Sequence, residues 1–320
     1  MKIRYIVLAL CLLICFSSIA VIIFLGKPQD IVSLDVVTEV AERVIHHVDK
    51  TGKIVTSITD EEEMRIGDEL HETLVRQGAP FVPEDDQLHI YVNQVGKRVA
   101  MNVKRQNIKY KFHVIRSPYP DAFSAPGGHV YITTGFLETL KSEAEMAAVL
   151  GHEITHIDAK HAIGRVQYKI ASEKILGKNN DVLVDIAYQT LLVPGYSETE
   201  EFEADKGGVY FSRMAMYHPM AMVSIFEEKL KSEKQINSSI TPVGETLVAF
   251  GGVVGRYFNT HPPTRERMWS VLRYIEEKKL TSGNTKFYIG KKNLEEKKSF
   301  YSNPYQGEIS ETYKIENKNK

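Results

Sequence analysis

Apolar residues recur at helical spacing through much of this chain, and the pattern breaks only in a few short places. Met64, Ile66, Leu70 and Leu74 predict a helix over Thr59 to Gln77, opened by a capping box between Thr59 and Glu62. Leu88, Tyr91, Val92, Val95 and Val99 predict a second amphipathic helix over Asp86 to Val103. Tyr110 to Val114 alternates with the period of a strand, and a turn-rich link from Asp121 to Gly128 leads into another strand, His129 to Thr134. Ser142 and Glu145 read as a capping box opening a helix whose Ala144, Ala147, Ala148 and Gly151 keep it slim. Further helices are predicted over Asp181 to Val193, Ser197 to Met214, Pro219 to Lys231 and Pro263 to Lys279. Glu233 to Thr260 lacks periodicity and reads as a loop, and the lysine-rich stretch after Leu280 as a solvated, partly disordered tail. The expected fold class is α+β, mainly helical with a small sheet.

Composition removes several alternatives. With 40 basic and 41 acidic residues the charge is balanced, so no global field recruits nucleic acid. Both cysteines, Cys11 and Cys15, lie in the first apolar run, which leaves the rest without a disulfide framework, a thiolate metal site or a cysteine nucleophile. That run, Tyr5 to Leu25, carries no charge and as a helix would be about 31 Å long, enough to cross a bilayer. Lys2 and Arg4 precede it, so the positive-inside rule places everything after Gly26 on the far side of the cytoplasmic membrane. The expected organisation is a single-pass signal anchor (1–26), a linker (27–58), a globular domain (59–279) and a polar basic tail (280–320).

The helix opened by Ser142 carries the candidate chemistry. It contains Gly151-His152-Glu153-Ile154-Thr155-His156, an H-E-x-x-H motif. On a helix the two histidines lie about 40° apart around the axis and roughly 6 Å along it, so both imidazoles reach one metal ion. Glu153 lies about 100° round from His152, where it can serve as general base towards the attacking water instead of as a ligand.

A catalytic zinc needs a third protein ligand. His161 follows His152 by nine residues, but the metzincin pattern would require histidine and glycine where Ala162 and Ala159 stand. The other candidate is Glu201, which shares a helical stripe with Ala204, Asp205 and Gly208, whereas Glu203 points away. Asp205, one turn on, would hold the second nitrogen of a ligand histidine. The bland alternative, a solvated acidic face, suits Glu198, Glu200 and Glu203. His46, His47, His71, His89, His113 and His218 show no partner pattern and read as surface or packing residues.

These pieces together resemble the HtpX/BepA-like zinc endopeptidases, family 48 of the metallopeptidases. The resemblance rests on Ala122-Phe123, Pro126 to Ile132, Thr134-Gly135, the H-E-x-x-H helix, Tyr196-Ser197, Glu201 to Asp205, and Thr260-His261-Pro262-Pro263 with Arg267. Glu198 departs from it, since many members carry arginine there. The resemblance implies a zincin-type fold, one Zn2+ per chain, and unfolded or damaged exported or membrane proteins as substrates in envelope quality control. It implies that the strand containing Gly128, His129, Val130, Tyr131 and Ile132 is an edge that pairs with extended substrate, and that Arg267 stabilises the oxyanion.

The expected activity is therefore hydrolysis of peptide bonds, with His152, His156 and Glu201 holding zinc and Glu153 as base. A non-catalytic, chaperone-like scaffold on the same fold is the alternative, which loss of the base or a ligand would have favoured. His261 ends a long loop and is fixed by two prolines, so it could be presented to the metal and keep the enzyme latent.

Overall fold

Sixteen consecutive residues, Glu143 to Asp158, are all buried, and the remaining elements are arranged around them. A helix with no exposed face must be enclosed on every side, and the run of alanines and glycine here lets neighbours close in. In the computed structural model, residues 58–175, 186–188, 195–237, 261, 264–282 and 285–310 are described. The apolar run expected to anchor the chain, Tyr5 to Leu25, and the linker after it lie outside these residues. So do most of the helix expected over 181–193, the loop from 238 to 260, and Pro262-Pro263. Among the described residues no helix is long and apolar enough to cross a membrane.

Helix α1 (Asp60–Arg76) starts where the sequence places it: Glu62 N donates to Thr59 Oγ1 at 3.2 Å and Thr59 N to Glu62 Oε2 at 2.8 Å. Helix α2 (Gln87–Val99) buries the expected face of Tyr91, Val92, Val95 and Val99. Strands β1 (Lys111–Ile115), β2 (Ala122–Ala125) and β3 (His129–Thr133) form a sheet in the order β1-β3-β2. After the short α3 (Thr134–Thr139) come the central α4 (Glu143–Asp158), α5 (His161–Ile175), α6 (Glu198–Met214), α7 (Ala221–Asn237) and α8 (Arg265–Glu277).

The sheet corrects one expectation. β3 pairs with β1 in parallel (Phe112 with Val130) and with β2 in antiparallel (Phe123 with Tyr131). Both of its hydrogen-bonding sides are taken, so Gly128, His129, Val130, Tyr131 and Ile132 do not form an edge open to substrate. The link expected to be only a turn contains β2, which is an edge strand of this sheet.

One sheet face, with Phe112, Val114, Val130 and Ile132, joins the core of α2 and α4. The other, with Tyr131 and Ala125, packs against Ile66 and Leu70 of α1 and Ile163, Val166 and Ile170 of α5. The turn before β3 is clamped onto α1. Gly127 takes φ 78° and donates to the buried Glu63 carboxylate at 3.1 Å, and a Cβ there would come within 2.6 Å of the Glu63 carbonyl oxygen. Arg105 satisfies the remaining charge, 2.5 Å from Glu63 and 2.6 Å from Asp60.

Two further expectations change. Ser142 caps α4, but the Glu145 carboxylate accepts from Lys141 N at 2.7 Å, so the box is not reciprocal. The stretch after residue 285, expected to be solvated, folds onto the body as far as Ser310. It contributes β4 (Phe287–Tyr288), α9 (Lys291–Glu296) and β5 (Ile309–Ser310), with Phe287, Tyr288 and Leu294 buried. The carbonyls of Gly290 and Ile289 accept from Glu143 N and Ala144 N at 3.0 and 2.9 Å. They thereby satisfy donors that a helix start leaves open.

Candidate metal centre

The site forms where α4 and α6 meet with almost nothing between their backbones. A Cβ on Gly151 would lie 3.0 Å from Gly208 Cα, and one on Gly208 would lie 2.8 Å from the Ala148 carbonyl oxygen. Gly207 faces Thr155 as closely. This contact is the small-residue stripe read from the sequence, and it places Glu201 and Asp205 directly over His152.

His152 Nε2 and His156 Nε2 are 3.1 Å apart, and each is 3.7 Å from a carboxylate oxygen of Glu201. His261 joins them, its Nδ1 2.6 Å from Glu201 Oε1 and 3.3 Å from His152 Nε2. One ligand atom from each of these four residues lies within 4.8 Å of the others, and all four are buried. Glu203, by contrast, is 57% exposed at its side chain.

A second layer of contacts orients these groups. His152 Nδ1 is 3.0 Å from Asp205 Oδ1, which frees Nε2 to face the cluster. His156 Nδ1 meets His161 Nδ1 at 3.0 Å, and His161 Nε2 lies 3.4 Å from Glu203. His161 is thus not one of the four converging residues but supports His156 from behind. The Tyr196 ring stacks on His156 with centroids 3.6 Å apart, and Arg165 lies over the far side of Tyr196. The sequence raised His161 only as a third-ligand candidate nine residues after His152, and nothing local marked Tyr196 as a ring support.

Arg267 does not point its charge at an open position. Its Nε and Nη2 reach Asp205 at 2.8 and 2.7 Å, and its Nη1 lies 2.8 Å from Glu201 Oε2. Burial disfavours charge on both carboxylates. Even so, hydrogen bonds from Arg267 and His152 hold Asp205 below its usual range, and His261, His152 and Arg267 do the same for Glu201. His261 is buried as well, yet Glu201 and Glu153 raise it above its ordinary value. His156, with no carboxylate as close, is pushed well below its own by burial and by the neighbouring histidines.

Glu153 differs from all of these. Both of its carboxylate oxygens are buried without a hydrogen-bond partner among the described residues, and the nearest cationic atom is His261 Nε2 at 3.8 Å. Leaving a buried carboxylate bare costs several kcal/mol unless something meets it. Orphaned acceptors beside a ring of imidazole and carboxylate donors are the donor set of a divalent metal with its bound solvent, so the residues fit a zinc ion.

The sequence model of peptidase family M48 matches residues 86–275, more than half of the chain. The mitochondrial metalloendopeptidase OMA1 of Schizosaccharomyces pombe is 27% identical over 228 residues, covering 68% of this chain and 62% of that protein. The β-barrel assembly-enhancing protease of Yersinia pestis is 25% identical over 195 residues, 56% of this chain and 40% of that protein. Its namesake in Escherichia coli K12 is 25% identical over 193 residues, 55% and 39%. The chain spans less than two thirds of the length of these curated relatives.

Proposed function

The chain belongs to peptidase family M48, and from that membership we propose that it is a zinc-dependent endopeptidase acting on unfolded or damaged proteins at a membrane. The observation that carries the reading is Glu153, a buried carboxylate with no hydrogen-bond partner among the described residues, beside His152, His156 and Glu201. His152, His156 and Glu201 would hold the ion. When bound, zinc supplies Lewis acidity that makes water easier to deprotonate and a carbonyl easier to attack.

The chain's own residues do the rest. Glu153 takes the proton of the attacking water and returns it to the leaving amine. Asp205 fixes the tautomer of His152 so that Nε2 keeps its lone pair, and His161 does the corresponding service for His156. Arg267 acts here as a positioning residue, since all three of its nitrogens lie on the carboxylates of Asp205 and Glu201. Extended substrate is assigned to the edge strand β2, which packs beside α4 and whose pairing with β3 occupies only one of its sides. Anchorage by residues 5–25 and exposure of the domain on the extracytoplasmic side follow from the charge pattern of the sequence. The name of the bacterial relatives supports a role in handling envelope proteins.

Digestion of unfolded casein by the purified chain tests the activity. Cleavage that stops on chelation and returns with zinc is expected; a zinc-loaded chain that leaves casein intact would sink the proposal. Asp205→Asn should weaken zinc binding by roughly 10–100-fold, read by competition with a chelator, because it loosens both His152 and Arg267. An unaltered affinity would remove Asp205 from the site.

His261 is proposed as a brake. Its ring sits among the three ligands, where it would occupy the place the attacking water needs. His261→Ala should keep its zinc and cleave unfolded substrate faster than the parent chain. A sharp fall in turnover would recast His261 as a stabiliser of the transition state, and unchanged turnover would leave it without a role in the reaction.

A further inference from the structure

A second group of histidines gathers on the other side of the sheet from α2. His71 of α1, His113 of β1 and His129 of β3 each bring one ring nitrogen within 4.8 Å of the others. They are far apart in sequence and meet because the two strands pair in parallel and α1 lies across them. We propose that His71, His113 and His129 form a second metal site, for a divalent ion of the zinc and copper class, that fastens α1 to the sheet.

Three features carry the assignment. The first is spacing: His113 Nε2 and His129 Nδ1 are 3.0 Å apart, against 3.1 Å for the Nε2 atoms of His152 and His156. The second is support from behind. His129 Nε2 is 2.9 Å from Asp68 Oδ1, the same carboxylate–histidine arrangement as Asp205 with His152 at 3.0 Å. His71 Nδ1 is held by the Tyr131 hydroxyl at 3.2 Å.

The third is access: His129 is buried, but His71 and His113 are only half-buried and Asp68 is half-exposed, so an ion can enter from solvent.

Imidazole ligands favour zinc, copper or nickel over magnesium or calcium. As they stand, the rings lie nearly parallel, His71 on His113 with centroids 4.1 Å apart and 23° between planes. Ligation would fan them by rotation about χ2, a torsion with a broad minimum. The ion would tie residue 71 to residues 113 and 129, binding only the folded arrangement, and so would raise the melting temperature.

The test counts metal on the full-length chain in detergent, stripped by chelator and reloaded with Zn2+ or, separately, Cu2+. The parent chain should bind two ions and Glu201→Ala one. His71→Asn should also bind one, keep casein cleavage, and lose the metal-dependent rise in melting temperature. Copper in a His152→Ala/His156→Ala chain, which lacks the histidine pair of the first centre, should show imidazole-nitrogen hyperfine coupling in its electron paramagnetic resonance spectrum. A parent chain that binds a single ion would overturn the proposal, as would a second ion retained undiminished in His71→Asn. If His71→Asn fails to fold, the stoichiometry of the parent and the copper spectrum of the His152→Ala/His156→Ala chain, whose His71, His113 and His129 are intact, still decide. Casein cleavage tests the Glu153 centre separately, so a failure there leaves this count standing.

Discussion

Glu153→Gln is expected to abolish cleavage of unfolded casein while the zinc content of the chain stays at the parent level. Glutamine keeps the shape of the side chain but cannot accept a proton at this step, and loss of a positioned base costs about 10²–10⁴-fold in rate. Among the described residues the native carboxylate makes no hydrogen bond that would orient a neighbour, so its replacement removes chemistry and not architecture. Glutamine in fact relieves the burial of a bare charge, and the folded chain should be at least as stable as its parent. Elemental analysis alongside the digest decides between roles. Metal lost together with activity would make Glu153 a ligand and transfer the base to another residue.

The neighbouring acids on α6 should behave in opposite ways. Glu201→Ala is expected to lose both the ion at this centre and all cleavage, because its carboxylate faces His152 and His156 and is buried. Glu203→Ala should retain both, since that side chain is largely exposed and lies 3.4 Å from His161, outside the four converging residues. Removing Glu201 also takes from His261 its closest counter-charge and leaves Arg267 with Asp205 alone, and breaking a fully buried ion pair costs about 3–5 kcal/mol. Glu201→Gln, which preserves the packing, therefore accompanies it, and circular dichroism confirms that each variant is folded. Equal metal loss from the Glu201 and Glu203 variants would mean that the helical phase placing Glu201 over the histidines is wrong.

The convergence of His152, His156, Glu201 and Asp205 was legible because it follows from helical phase. Two histidines four apart define one stripe, and Glu201, Ala204, Asp205 and Gly208 define the complementary one. Caps at Thr59 and Ser142 were equally local signals. What escaped the sequence is non-local. β2 holds four residues inside a turn-rich segment, with no β-branched side chain to mark it, so β3 read as an edge when it is central. α5 has a weak apolar pattern and went unread, although Ile163, Val166 and Ile170 close the second core. The stretch after residue 285 looked solvated because its lysines outnumber its aromatic residues, yet Phe287 and Tyr288 bury against the body. His71, His113 and His129 belong to three different elements, and no spacing rule links them.

The backbone contact at Gly151 and Gly208 sets a limit on how this protein can change. Helices that rest on side chains shift by fractions of an ångström whenever a core methyl is gained or lost. Where Gly151 and Ala148 meet Gly208, α4 and α6 rest on main-chain atoms, which are the same whatever the neighbouring residues become. The distance from Glu201 to the two histidines is therefore decoupled from sequence drift elsewhere in the interior. Core positions such as Met146, Val149 and Phe211 can be exchanged for others of similar volume without retuning the centre, whereas a single added carbon at residue 151 or 208 would open it. Directed variation of the interior, with the two glycines held fixed, should therefore yield chains that differ widely in melting temperature and hardly at all in zinc affinity.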